Sequence, residues 1–143
     1  MFLKKLQEFF AAKPVKQNNR ILIIDDNPID QKVICAAIER AGHRTFKAFD
    51  GKTGLAMAGE LLPDLIILDY NLPDISGPKV CEALKADGPT GGIPVLFLTW
   101  RDSPNSIIDC YDYGGENYLA KPINPKLLVR QIEQILEDKK LKG

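Results

Sequence analysis

Leu65-Ile66-Ile67-Leu68-Asp69-Tyr70-Asn71-Leu72-Pro73 is the stretch whose reading decides the fold. Its first four residues are apolar, two of them β-branched, and such a run reads as a strand buried on both faces. Pro63-Asp64 opens it and Asp69 closes it, after which Asn71, Pro73, Asp74 and Gly77 supply turn chemistry. Asp69 is therefore expected at a strand tip, facing solvent. An ionised carboxylate at the end of so apolar a strand is costly unless water, a cation or a hydrogen-bond donor meets it. Taken alone, Asp69 reads as a solvated residue opening a loop.

Toward the N-terminus, Asp50-Gly51 turns into a helix carrying Leu55, Ala58 and Leu62, and Thr45-Phe46-Lys47-Ala48-Phe49 alternates weakly, as a more exposed strand would. Before these, Ile21 to Ile24 is an apolar strand ending in Asp25-Asp26. Asn27-Pro28 then starts a helix with Pro in its first turn. Val33, Ile34, Ala37, Ile38 and Ala41 give that helix its apolar face, and Gly42 ends it. Toward the C-terminus, a helix from about Gly77 to Ala86 packs Val80 and Leu84, and a Gly- and Pro-rich loop leads to the strand Pro94 to Thr99. Ser103-Pro104 starts a helix holding Ile107, Ile108 and Tyr111, which Gly114-Gly115 stops. Asn117 to Ala120 is a short strand followed by Lys121-Pro122, and Asn124-Pro125 opens a last helix whose stripe is Leu128, Val129, Ile132, Ile135 and Leu136. Five strands alternating with five helices imply a parallel sheet covered on both faces, with right-handed crossovers.

The 143 residues suit one α/β domain with a substantial core, and 45% apolar with 27% charged residues is an ordinary globular composition. Lys and Arg number 19 against 19 Asp and Glu, so the basic excess of a nucleic-acid binder is missing and direct nucleic-acid contact is not expected. Cys35, Cys81 and Cys110 lie far apart without metal-ligand spacing and read as packed, reduced thiols, which suits the cytoplasm. No apolar run is long enough to span a bilayer, and Met1 to Leu6 lacks a signal-peptide core. Residues 1–19 stand apart from the domain at 20–143. Phe2, Leu3, Leu6, Phe9 and Phe10 follow helical spacing opposite Lys4, Lys5, Gln7 and Glu8, and Lys13-Pro14 with Gln17-Asn18-Asn19 reads as a linker. That amphipathic segment is expected to dock on its own domain or on a second copy, with a membrane surface as second choice.

In a doubly wound sheet, the ligand crevice lies outside the carboxyl ends of the strands. Asp25 and Asp26 end the first strand, Asp69 the third, Thr99 the fourth and Lys121 the fifth. Each has a plain explanation taken singly: turn former, solvated end, strand-capping Thr, surface Lys. Together they bring three carboxylates, a hydroxyl and an ammonium to one rim. Like charges so close call for a cation, and hard oxygen ligands suit Mg²⁺.

At this point the chain resembles the receiver domain of two-component response regulators, in the single-domain style of the chemotaxis regulators. The marks are Ile23-Ile24-Asp25-Asp26, Pro63 to Asp69, Pro73, Gly77, Pro94 to Thr99 and Tyr118-Leu119-Ala120-Lys121-Pro122, spread over residues 20 to 140. The resemblance implies a flavodoxin-like doubly wound five-stranded sheet of order 2-1-3-4-5 and a cis Lys121-Pro122 bond. It implies Asp69 as phosphoacceptor, receiving a phosphoryl group from a histidine kinase or a histidine phosphotransfer protein. Asp26, Asp69 and the Asn71 backbone carbonyl would ligate Mg²⁺, with Asp25 helping through water. Lys121 and Thr99 would meet the phosphoryl oxygens, and Thr99 with Tyr118 would form the switch. The chain would be a phosphoacceptor that assists its own chemistry rather than an enzyme with a substrate of its own.

Other chemistries fit less well. A flavin-binding flavodoxin needs a phosphate loop after its first strand, where Asp25-Asp26 would repel phosphate. A haloacid-dehalogenase-type phosphatase wants Asp-x-Asp there, and this chain has Asp25-Asp26-Asn27. The only His, His43, begins the second strand, at the opposite edge from the carboxylates. The serious competitor is a receiver relic that is no longer phosphorylated and works as a protein-interaction module. The chain leaves no room for a DNA-binding output domain, so output is expected by contact with a downstream protein, with a homodimer as one form of it. Trp100 departs from the family pattern, which has a small residue after the strand-four Thr. Its ring is expected either to pack outward or to roof part of the Asp69 crevice.

Overall fold

The computed structural model describes residues 18–100 and 117–142. The expectations for the helix at residues 2–12, for the helix after Ser103 and for Cys110 lie outside the described residues. The elements are β1 (Arg20–Ile24), α1 (Pro28–Arg40), β2 (Arg44–Ala48), α2 (Gly51–Leu61), β3 (Leu65–Asp69), α3 (Gly77–Ala86), β4 (Val95–Trp100), β5 (Asn117–Lys121) and α4 (Pro125–Lys142). The strands form one sheet in the order β2-β1-β3-β4-β5, every neighbouring pair parallel. This is the doubly wound, flavodoxin-like order.

Why the sheet takes helices on both faces follows from the strand sequences. Side chains alternate across a strand, so a continuous apolar run must bury two faces. Ile21 and Ile23 of β1, Leu65 and Ile67 of β3, and Leu96 and Leu98 of β4 face one side, under α1 and α4. Leu22 and Ile24, Ile66 and Leu68, Val95 and Phe97 face the other, under α2 and α3. Each such aliphatic side chain taken from water contributes roughly 1.5–3 kcal/mol. All five residues of β3 are buried, as expected of the central strand.

Helix starts are legible in the caps. Asn27 caps α1, its side chain accepting from Ile29 N and Asp30 N, with Pro28 beside it. Asp50 accepts from Thr53 N at the start of α2, while Asp74, from the loop after β3, accepts from Gly51 N at 2.8 Å and Lys52 N at 2.9 Å. Those donors hold the Asp74 carboxyl below the usual carboxylate range. The Gly77 backbone runs against Asp69 O and Tyr70 Cα so closely that a Cβ there would strike both. A glycine therefore lets the loop after Asp69 fold back and start α3.

Several expectations need correction. The buried stripe of α1 is Gln31, Ile34, Cys35 and Ile38, so Val33, placed on the apolar face above, is 38% exposed. Leu62 caps α2 in the left-handed conformation at φ 45° and is turned out, 47% exposed, rather than continuing the core stripe. β2 ends at Ala48, leaving Phe49 half-exposed. Cys35 and Cys81 are buried and free, and burial pushes the Cys35 thiol up. His43 is buried just before β2, at the amino ends of the strands. The Lys121-Pro122 bond is cis. Among the described residues, no helix is long and apolar enough to cross a membrane.

Candidate functional site

The carboxyl ends of β1, β3, β4 and β5 meet at one rim. There Asp69 departs from its expected solvent-facing pose: it is the last residue of β3 and only 3% exposed. β1 and β4 flank β3 on either side, and the loop leaving Asp69 folds back so that Gly77 N donates to Tyr70 O at 2.8 Å. Its Oδ1 accepts from Asn71 N at 3.1 Å and its Oδ2 from Lys121 Nζ at 3.1 Å. Burial raises the Asp69 pKa to about 6, helped by the negative charge of Asp25 and opposed by Lys121 and the Asn71 N–H.

Lys121, at the end of β5, is buried too. Its Nζ lies 3.1 Å from Asp25 Oδ2, 3.1 Å from Asp69 Oδ2 and 3.0 Å from Asp30 Oδ2. Burial works against the ammonium, but the Asp30 hydrogen bond and the charges of Asp69 and Asp25 outweigh it and raise its pKa. The Trp100 ring lies with its centroid 5.8 Å from Nζ, and Trp100 is in register with Lys121 across β4 and β5. At 54% exposed, that ring neither packs into the core nor buries itself in the crevice; it borders Lys121 from the solvent side.

Asp25 is fully buried and Asp26 exposed. Asp25 Oδ1 accepts from Asn27 N at 2.9 Å. Its Oδ2 is in charge contact with Lys121 but has no hydrogen-bond partner among the described residues. One oxygen each of Asp25, Asp26 and Asp69 lies within 4.8 Å of the others. A hard, hydrated cation suits that donor set, and the Asp25 oxygen, in charge contact with Lys121 but without a hydrogen bond, leaves a buried lone pair that such a cation or its water can meet.

Thr99 sits one position beyond the Leu98 that pairs with Asp69, and its buried Oγ1 also has no hydrogen-bond partner among the described residues. Buried hydroxyls are normally satisfied. Tyr118, on β5 opposite Phe97, is half-buried against the α2–α3 side of the core. Asn71 is exposed, on the loop leaving β3.

The rim therefore gathers Asp25, Asp26, Asp69 and Lys121 as the sequence suggested, with Thr99 at its edge. Asp30 and Gln31 were not anticipated. Gln31 is buried, and its amide donates to the carbonyls of Ile23 at 3.0 Å, Asp25 at 3.1 Å and Ala48 at 3.0 Å, tying α1 to the ends of β1 and β2. The available signal was position: both residues lie in the first turn of the helix that follows Asp25-Asp26, where side chains overhang the strand ends.

Comparison with known proteins agrees with this geometry. The family model for the response regulator receiver domain matches residues 21–133. The transcriptional regulator RpaA of Synechocystis is 39% identical over 117 residues, covering 82% of this chain and 48% of that protein. Protein PilH of Pseudomonas aeruginosa is 32% identical over 117 residues, 82% of this chain and 97% of that one. The chain thus spans about half of one relative and nearly all of the other. Among solved structures, the CheY-like receiver domain protein of Methanospirillum hungatei matches with TM-score 0.81 and 26% identity over 87% of this chain and 98% of that one. The chemotaxis response regulator CheY4 of Vibrio cholerae matches with TM-score 0.77 and 27% identity, covering 82% and 98%. With the sheet order, the acidic rim and these matches in agreement, the chain belongs to the response regulator receiver domain family of two-component signal transduction.

Proposed function

We propose that Asp69 is the phosphoacceptor, taking a phosphoryl group from a histidine on a partner kinase or phosphotransfer protein. The observation that carries this reading is the convergence on one buried carboxylate of a lysine 3.1 Å away and two further acids. An Asp69 oxygen attacks phosphorus, the P–N bond breaks, and its electron pair returns to the imidazole nitrogen. Such transfer needs positioning and charge neutralisation more than covalent help. Lys121 would donate to the phosphoryl oxygens, and the unpartnered Thr99 hydroxyl would donate to one of them. Asp26, Asp69 and the Asn71 backbone carbonyl would hold Mg²⁺, with Asp25 acting through water; bound there, the ion would offset the charge of the acids and the phosphoryl oxygens.

Thr99 and Tyr118 form the switch in this reading: Thr99 draws toward the phosphoryl group and Tyr118 turns inward, a population shift driven by the new contacts. Trp100, bordering Lys121, would shield part of the crevice mouth from solvent. The domain turns over no substrate of its own and acts only on its own aspartyl phosphate. Its place would be the cytoplasm, its output contact with a downstream protein, and a homodimer one form of that contact. The experiment is incubation with acetyl phosphate and Mg²⁺, then intact mass measurement. Wild type should gain one phosphoryl group and Asp69→Asn none. Absence of an adduct on wild type would leave the relic, a plain protein-interaction module, as the better reading.

A further inference from the structure

Lys121 meets one carboxylate that no strand end supplies. Asp30 stands in the first turn of α1, 91 residues away along the chain, and its Oδ2 is 3.0 Å from Nζ, against 3.1 Å for Asp25 and Asp69. The Lys121 ammonium donates to Asp30 and Asp69 and is in charge contact with Asp25, so three carboxylates surround it. The three are not equivalent. Oxygens of Asp25, Asp26 and Asp69 gather within 4.8 Å of one another, and Asp30 stands outside that group. Asp69 is also the oxygen that would become bonded to phosphorus. Asp30 is thus the one acid on Lys121 committed to neither the cation nor the phosphoryl group.

The backbone that carries the Asp30 carboxylate is held firmly. Asn27 Oδ1 accepts from Asp30 N at 3.1 Å, and the neighbouring Gln31 pins the same turn to the ends of β1 and β2. A lysine side chain is a flexible four-carbon stem carrying a point charge, so its direction depends on the anions around it. With Asp25 and Asp69 engaged elsewhere, Asp30 alone would keep the ammonium in place.

We propose that Asp30 is the positioning residue of Lys121, holding the ammonium over Asp69 so that an N–H stays aimed at the incoming phosphoryl oxygen. The inference rests on the phosphoacceptor reading of Asp69. The rival role for an acid in a first helical turn is stabilisation of the helix alone, by the field of its N-terminus. That role would not touch Lys121.

The test compares wild type with Asp30→Ala and Asp30→Asn by two measurements. In protein carrying ¹⁵N-lysine and free of metal, the Lys121 ammonium should give a slowly exchanging NMR signal, identified by its loss in Lys121→Arg. In Asp30→Ala that signal should broaden into solvent exchange or move; an unaltered signal overturns the proposal. With acetyl phosphate and Mg²⁺, Asp30→Ala should take up phosphate about fivefold more slowly or worse, and Asp30→Asn, which keeps an acceptor oxygen, should fall between. Equal rates in all three proteins overturn the proposal. A faster Ala variant overturns it too, because Asp30 would then be restraining Lys121 away from the phosphoryl group. If the Ala variant melts early, the Asn variant, whose helix start is intact, decides the rate comparison. Wild type that gains no phosphate would end the Asp69 reading instead, and the ammonium signal would still decide whether Asp30 holds Lys121.

Discussion

Asp69 carries a specific consequence for stability. Its carboxyl is raised from 3.8 to about 6 in the fold, chiefly by burial, so the folded chain binds a proton that the unfolded chain releases. That contribution is fully present below about pH 4 and is lost as pH rises through about 6, and a shift of this size corresponds to on the order of 3 kcal/mol. Lys121, raised above its ordinary value, stays charged throughout this window and leaves the sign unchanged. In metal-free buffer, Asp69→Asn should therefore melt higher than wild type at pH 7, and the gap should shrink at pH 5. Thermal melts at both pH values check it, and a gap that widens on acidification would contradict the burial argument. Trp100, bordering Lys121, predicts kinetics: Trp100→Ala should speed both uptake from acetyl phosphate and loss of the aspartyl phosphate, by about threefold or more, as water and donor gain access. Unchanged rates would place the ring clear of the approach path. Asp69, Thr99 and Lys121 were legible because each interrupts or ends an apolar strand. Asp30 was not, because an acid in a first helical turn already has a sufficient local explanation. The burial of Asp69 was missed because turn chemistry after a strand does not reveal which loops fold back over it.

At the scale of elements, the periodic signals held where burial was one-sided and slipped where it was not. α1 reads as a helix from its Asn-Pro start and its apolar spacing, yet its stripe is rotated toward Gln31 and Cys35, leaving Val33 outside. A pattern of apolar residues cannot announce a buried glutamine. Gln31 is buried because its amide satisfies carbonyls where β1 and β2 end, which is a tertiary fact. Gln31→Leu keeps the volume but strands those acceptors, and should destabilise the fold by roughly 1–3 kcal/mol in denaturant titrations. A loss near zero would mean that water replaces the amide. Leu62 slipped for a different reason: the left-handed turn that ends α2 swings its side chain off the helical stripe.

Across the whole molecule, alternating strand and helix patterns were enough to imply a parallel, doubly wound sheet, because continuous apolar strands leave no other way to cover both faces. Strand order was not contained in that pattern; it came with the family resemblance and matches the observed β2-β1-β3-β4-β5. Parallel order also explains why residues scattered from Asp25 to Lys121 share one rim, since every strand delivers its carboxyl end to the same side. The sheet that does this also separates the apolar interior into one cluster under α1 and α4 and another under α2 and α3. Thermodynamic independence follows. Ile132→Val on one side and Val80→Ala on the other fall in separate core clusters, so their losses should add to within about 0.5 kcal/mol. Ile132→Val combined with Ile34→Val, both within one cluster, should depart from additivity. A double-mutant cycle by denaturant unfolding would measure both, and coupling across the sheet as strong as coupling within one side would mean the strands transmit repacking rather than block it. If they block it, substitutions can accumulate on one face of such a domain without altering what the opposite face tolerates.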